Sequence, residues 1–355
     1  MTRNNSQIFA AIPSGFPKPG EHIKLVEGTI DLEAPLKEGE ILTKTLSLSL
    51  DPYLRGRMRA PEIKTYSEPY HVGQPMSNFG VGEVVVSANP NFKKGDKVYG
   101  EHKFSEYNIF SAEASKGLKI LENKEKLPWT TWVGAAGMPG QTAWHGLTNI
   151  AKPKKGETIF VSGASGAVGQ MVIALSQQMG LKIIGSAGSD DKVAFLKDTL
   201  KIDIAFNYKK TETSAVLKEN PIDIYWDNVG GPTLDAALDA MNWFGRIVAC
   251  GQISTYNGEE YGVKGTGHFF AKSLMMQGFI ILHHDLTGFY KTIPGMIASG
   301  EIKPPKEHIV KGLDNGEVSR SVFFLGAGID SYPVFQAFYD LLTGGNFGKA
   351  VISLE

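Results

Sequence analysis

The chain of 355 residues contains one cysteine, Cys250. It can form no intramolecular disulfide and no zinc site built on several thiolates. An excess of charge of one sign is also missing. Its 36 basic and 37 acidic side chains leave a net charge of −1, so nothing draws the whole chain to nucleic acid or to an anionic lipid surface. Long apolar runs are absent too. Stretches such as Gly278–Leu282 are far too short to span a bilayer. The first twenty residues are interrupted by prolines and lack the apolar core of a signal peptide, so a cytoplasmic location is expected. The histidines are scattered, and the one adjacent pair, His283 and His284, would face opposite ways on a strand. Catalytic zinc is therefore not expected. Nor does a Tyr-x-x-x-Lys pair follow the fourth expected strand; Tyr261 and Lys264 stand at the wrong spacing, which argues against short-chain dehydrogenase chemistry.

What is present is organised in three textures. Residues 1 to about 130 hold short alternating runs separated by Gly, Pro, Asn and Asp, the pattern of antiparallel strands. The stretch Asn91–Val98 carries a Gly-Asp turn between two of them. From about residue 131 strands alternate with helices, which implies right-handed βαβ units around a parallel sheet. Beyond about residue 305 the strand texture returns, with a helix in Ser331–Gly345 and a terminal strand in Gly348–Glu355. About fifty residues make too small a core to stand alone, so this tail is expected to complete the first domain. The 41 glycines point to many tight turns and close backbone approaches.

One turn carries chemistry. In Ile159–Leu175, glycines at 163, 166 and 169 stand between a buried strand and a helix. With Ala164 in the first position the pattern reads A-x-G-x-x-G, close to the dinucleotide fingerprint G-x-G-x-x-G. Gly166 would let backbone approach a pyrophosphate, Gly169 would let helix and strand pack closely, and the helix N-terminus would hold the phosphates. At the end of the next strand an acid usually accepts hydrogen bonds from the adenosine ribose, and it would repel a ribose 2′-phosphate. The stretch Ile183–Lys192 has no acid there: the strand runs out through Gly185, Ser186, Gly188 and Ser189 to Lys192. Gly188 and Ser189 can donate, Lys192 can supply positive charge, and Tyr208 after the third strand can lie beside the adenine or phosphate. NADP(H) is therefore expected in preference to NAD(H). Asp190 and Asp191 must then point away, and Ser189 or Asp190 is expected to cap the helix that follows.

Seven segments in chain order resemble one family: Leu48–Met58, Gly137–Leu147, Pro153–Gln170, Gly185–Leu196, Phe206–Lys209, Ile222–Gly231 and Gly245–Asn257. They are similar to the zinc-independent medium-chain dehydrogenases/reductases that reduce the double bonds of alkenals and alkenones with NADPH. Members include the leukotriene and prostaglandin reductases and the plant and fungal double-bond reductases. The resemblance implies an α/β fold with a GroES-like, mostly antiparallel catalytic domain in residues 1–130 and 305–355 and a Rossmann domain in 131–304. It places Gly166, Ala167, Val168 and Gly169 at the pyrophosphate, and Gly188, Ser189, Lys192 and Tyr208 at the 2′-phosphate end. Asn228 would run along the cofactor, and Cys250, Gly251, Ile253, Ser254 and Tyr256 past the nicotinamide ribose. Phe279, Ile280 and Ile281 would meet the carboxamide, Met138 and Thr142 would wall the nicotinamide, and Pro52 and Asn346 would complete the set. A homodimer through an edge strand of the nucleotide domain is implied as well.

The activity implied is hydride transfer to the β-carbon of an α,β-unsaturated aldehyde or ketone, with charge moving onto the carbonyl oxygen. Tyr256 is the first candidate to donate to that oxygen and Tyr53 the second, since a phenol with reference pKa ~10 is protonated at neutral pH. Tyr53 also reads as pocket wall. Arg55 and Arg57 read as surface ion-pairing residues that fix their loop. Gly258–Ser273 reads as a lid or pocket loop. Two further readings stand beside this one: a quinone reductase of the same fold, and a relative that binds NADPH without turnover.

Overall fold

The structure is a computed structural model describing residues 1–18, 20–313 and 333–355. Two segments expected from sequence run partly outside them: residues 314 and 315 at the end of the 307–315 stretch, and Ser331 and Tyr332 at the start of the C-terminal helix. The chain divides into two compact units. The first comprises Met1–Val133, Glu307–Asn346 and Ala350–Glu355, and the second Gly134–Lys306 and Phe347–Lys349.

The first unit is built on a sheet whose strands lie in the order Glu307–Lys311, Lys349–Ser353, Ile41–Ser49, Ser77–Ser87, Lys97–Lys103 and Lys119–Ile120, with Tyr107–Phe110 pairing onto Ile41–Ser49. The central pairings are antiparallel. The Gly-Asp signature joins Ser77–Ser87 to Lys97–Lys103 as expected, with Gly95 in the left-handed region at φ 93°. Phe9, Leu48, Leu50, Leu54, Met58, Phe335 and Phe338 are fully buried together. Each such side chain contributes about 1.5–3 kcal/mol relative to exposure.

The second unit is a parallel sheet of six strands. In chain order they are β1 (Thr158–Val161), β2 (Lys182–Ala187), β3 (Ile204–Asn207), β4 (Ile222–Asp227), β5 (Met241–Ala249) and β6 (Met275–Gly278). Their spatial order, β3-β2-β1-β4-β5-β6, is the doubly wound Rossmann order. The helices used below are α1 (Met138–His145), α2 (Ala167–Gln178), α3 (Asp190–Ala194), α4 (Gly231–Ala240) and α5 (Thr287–Ala298). Central strands are buried on both faces, which explains continuous apolar runs such as Ile159–Val161, all fully buried. Phe160 stacks on Tyr225 across β1 and β4 at 5.1 Å. α2 stops where Gly180 turns left-handed at φ 72°. β5 breaks register with β4 between Ile222 and Ile224, so residues 242–245 leave the ladder.

The two sheets bear out the expected fold class: a Rossmann parallel sheet together with a mostly antiparallel β region.

Candidate active site

The turn after β1 explains its own composition. Gly163 sits at φ 61°, which side chains rarely adopt. A methyl group on Gly169 would lie 2.5 Å from the Gly163 carbonyl oxygen and 2.8 Å from the Ala164 Cα, so α2 can approach the strand only because residue 169 is glycine. Ala164 takes the fingerprint's first glycine position for a reason outside the motif. Its methyl is fully buried and would be 3.0 Å from any Cβ added at Gly185 of β2. The missing glycine is compensated one strand away. Gly166 is the N-cap of α2 and has no side chain to cover the helix end, which leaves backbone N–H groups of the first turn facing outward. This is a cradle that fits a pyrophosphate. Residues Phe347–Lys349 reach the same turn: the Gly348 N–H donates to the Ser165 carbonyl at 3.0 Å, and Gly348 pairs with Gly166. Asn346 directly precedes them in the chain.

The end of β2 answers the question of the missing acid. Asp190 is turned toward β3, where its carboxylate accepts from Asn207 at 2.8 Å and pairs with Lys210. The Lys210 bond, then that of Asn207, holds its pKa below the usual carboxylate range. Asp191 accepts from the Ser189 hydroxyl, and that bond lowers its pKa as well. The expected cap is therefore corrected. Ser189 does occupy the N-cap of α3, but its hydroxyl serves Asp191 rather than a backbone N–H, and Asp190 serves β3. Lys192 is buried, not a solvated surface lysine. Tyr208 lies over Gly188: a Cβ there would come within 2.9 Å of the Tyr208 hydroxyl.

On the other side of β1 the strand ends converge. The Asn228 backbone N–H donates to Ser162 Oγ at 3.1 Å, its Nδ2 donates to the Ser162 carbonyl at 2.7 Å, and its Oδ1 accepts from Trp226 Nε1 at 3.2 Å. Asp227, which the sequence did not single out, organises the crossing. Its buried carboxylate accepts from Tyr225 Oη at 2.7 Å, Val229 N at 2.9 Å and Gly230 N at 2.7 Å. Its carbonyl accepts from the N–H groups of Cys250 and Gly251. Burial, then the Asp227 charge, pushes the Cys250 thiol up to about 12, so it is no thiolate at neutral pH. Ser254 Oγ donates to the Val229 carbonyl at 2.6 Å, in the short turn Ile253–Thr255. The half-buried Tyr256 then brings its hydroxyl 3.3 Å from where a Gly251 Cβ would stand.

Met138 and Thr142 share one face of α1, with Thr142 Oγ1 3.5 Å from Met138 Sδ. His145, one turn on, touches the Phe279 ring at 5.2 Å and stacks on His284 at 3.9 Å. The segment from Phe279 through Ile280 to the buried Ile281 is thus tied to the α1 face that carries Met138 and Thr142. The sequence drew attention to His284 only as half of an adjacent pair, because its meeting with His145 depends on a contact 139 residues apart in sequence. The Gly258–Ser273 stretch, read as a lid, is fastened to α4. Tyr261 Oη donates to Asp235 at 2.7 Å, the Lys264 N–H does so at 2.8 Å, and His268 Nε2 lies 2.8 Å from Asp239.

Pro52, Tyr53 and Asn346 belong to the first unit. Pro52 opens the short helical turn in which its carbonyl accepts from Arg55 N. The Tyr53 hydroxyl donates to Asn78 Oδ1 at 2.5 Å, and burial followed by the nearby Asp51 raises its pKa well above the usual phenol value. Arg57 is buried rather than a surface ion-pairing residue. It pairs with Glu101 at 2.9 Å and lies 4.3 Å over the Tyr70 ring. Among the described residues no cluster of three or more His, Cys, Asp or Glu side chains could hold a metal ion.

Comparison with known proteins agrees with this architecture. Residues 6–118 match the family model described as the N-terminal domain of oxidoreductase, and residues 167–296 match that described as zinc-binding dehydrogenase. The chain is 40% identical to NADP-dependent oxidoreductase RED1 of Cochliobolus heterostrophus, over 100% of its own length and 98% of the relative's. The chain belongs to the medium-chain dehydrogenase/reductase family. Another member, 2-alkenal reductase (NADP(+)-dependent) of Nicotiana tabacum, is 37% identical over 99% of this chain and 98% of its own. Among solved structures of the family, CurA from Vibrio vulnificus in complex with NADPH superposes with a TM-score of 0.83, at 34% identity and 99% coverage of both chains. No helix among the described residues is long and apolar enough to cross a membrane.

Proposed function

We propose that this family member reduces the carbon–carbon double bond of α,β-unsaturated aldehydes and ketones. NADP(H) is its cofactor, in keeping with the NADP-dependent relatives. When bound, NADPH supplies the hydride delivered to the substrate β-carbon. The residues of this chain do the rest. Gly166–Gly169 hold the pyrophosphate with backbone N–H groups. Gly188, Ser189, Lys192 and Tyr208 hold the 2′-phosphate end. Tyr256 donates to the carbonyl oxygen as charge builds there, which stabilises the enolate and provides a proton. The observation that carries the reading is the end of β2. Both acids are tied away, by Lys210 and Ser189, from a strand end bearing a buried lysine and a tyrosine over a glycine. The 37% identity to a 2-alkenal reductase supports the substrate class.

The test is direct. The protein is mixed with NADPH and a panel of enals, enones and quinones, and products are identified by mass spectrometry. Saturated carbonyl product is expected. Allylic alcohol would overturn the reading, and turnover of quinones alone would replace it with quinone reduction. We propose further that the protein is a homodimer that pairs at β6. This edge strand carries the exposed Met275 and Met276, and beside it Trp243 and Phe244 are 68% and 69% exposed. Sedimentation at micromolar concentration checks this, and a monomer at all concentrations would sink it.

A further inference from the structure

Where the start of α3 meets the turn after β3, two acids are each matched to a lysine. Asp191 accepts from the Ser189 hydroxyl, and the nearby Lys192 charge also lowers its pKa. Asp190 is held from β3. Its Oδ1 accepts from Asn207 Nδ2 at 2.8 Å, and its Oδ2 takes the Lys210 ammonium. The orientation of Asn207 is fixed, because its own Oδ1 accepts from the Lys209 N–H at 3.1 Å. A flipped amide would set oxygen against carboxylate and NH2 against N–H. Asn207 is buried, and its carbonyl accepts from the N–H groups of Lys210 and Thr211, a turn that brings Lys210 back toward α3. Tyr208 leaves the same turn to lie over Gly188. A bare carboxylate at Asp190, two residues past Gly188, would repel a doubly charged ribose 2′-phosphate. Loss of Lys210 would leave that negative charge in excess. The Asp190 and Lys210 side chains are 64% and 66% exposed, so their pair stabilises the fold little and can be removed without unfolding the chain.

We infer that Lys210 is a specificity-determining residue for the cofactor: by neutralising Asp190 it keeps the end of β2 open to a 2′-phosphate, and in its absence Asp190 becomes the acid that disfavours NADPH. The inference rests on the reading that places the 2′-phosphate beside Gly188 and Lys192. Lys210 acts here through Asp190 and not by touching the phosphate. Its effect must therefore vanish when residue 190 carries no charge.

The test is a cycle of variants of the full chain, with dissociation constants for NADPH and NADH read by fluorescence titration. Lys210→Met keeps the apolar stem and removes the charge. NADPH binding should weaken about three- to tenfold, the range for one uncompensated like charge near a phosphate at a partly solvated site, with NADH binding unchanged. Asp190→Asn keeps an oxygen for the Asn207 amide, and NADPH should bind at least as tightly as in the parent. When Lys210→Met and Asp190→Asn are combined, the loss should disappear. The Lys210→Met loss should also shrink in about 1 M salt, because both groups are exposed. A loss of the same size with and without the Asp190 charge would overturn the inference, since Lys210 would then act on the phosphate directly. Equal losses for NADPH and NADH, or no loss, would overturn it too. Lys192→Ala separates the inference from the reading beneath it. If that variant weakens NADPH selectively while Lys210→Met changes nothing, the 2′-phosphate site stands and the neutralising role of Lys210 falls. If neither changes the ratio of NADPH to NADH affinity, both fall.

Discussion

The strand ends of the second unit and the polar core of the first handle polar groups in opposite ways. Around the ends of β1, β2 and β5 the polar groups aimed outward belong largely to backbone, at the half-buried glycines 166, 188 and 251. In the first unit they are side chains, Ser49, Asn78 and His102 on strands and Asp51 just beyond one, all buried where water cannot serve them. A backbone site needs small residues in one short stretch. A side-chain network needs residues that the chain brings together from far apart. In the proposed reading the first kind holds the cofactor.

Four measurements would break or sharpen that contrast. The largest effect is expected at the one side chain in the second unit assigned to the chemistry. Tyr256→Phe should lower kcat by about a hundredfold or more, the range of general acid catalysis, with NADPH affinity changed far less. A normal maximal rate would return the proton to solvent. Lys192→Ala should weaken NADPH binding by about tenfold or more, since a charge-assisted phosphate contact contributes ~1.5–3 kcal/mol. NADH binding should change little, and equal losses for both cofactors would remove Lys192 from the phosphate.

The third concerns the first unit. His102 is fully buried, its Nε2 has no protein partner, and burial lowers its pKa to about 4. The unfolded chain binds a proton near pH ~6.5, so stability contributed by neutral His102 is whole above that pH and is lost as pH falls toward about 4. Between about pH 7 and about pH 5 the loss should be about 2 kcal/mol. Urea unfolding at both values measures it, and His102→Leu should flatten that part of the profile. The smallest effect is expected at Gly188. A methyl there meets the tip of Tyr208, which is half-exposed and can swing aside, so Gly188→Ala should weaken NADPH binding only about two- to fivefold. A loss as large as that of Lys192→Ala would show that Tyr208 is held rigidly.

The same contrast governs what could be read before folding. Strand, turn and helix around Gly166 and Gly169 were legible because glycine spacing and apolar periodicity are local. The absence of an acid after β2 was legible for the same reason. Ala164 in place of glycine was not interpretable alone, since its room is left by Gly185 one strand away. Asp190 and Asp191 read as obstacles until Lys210, Asn207 and Ser189 were in place beside them. Arg57 read as a surface cation because composition carries no burial. Tyr53 read as a second candidate donor, after its reading as pocket wall, because sequence shows a phenol but not where its proton goes.

By itself the sequence determined the parallel and antiparallel textures, the dinucleotide turn and the want of thiolates for a multi-cysteine zinc site, all properties of short stretches or of composition. The tertiary structure alone decided which way Asp190 turns, that His145 meets His284, that Asp227 gathers three donors, and that Asn78 orients Tyr53. A hydrogen bond has a direction and reaches about 3 Å. Whether two polar side chains satisfy each other therefore depends on coordinates set by elements well apart in the chain, 17 residues for the Asn207–Asp190 contact and 139 for His145–His284.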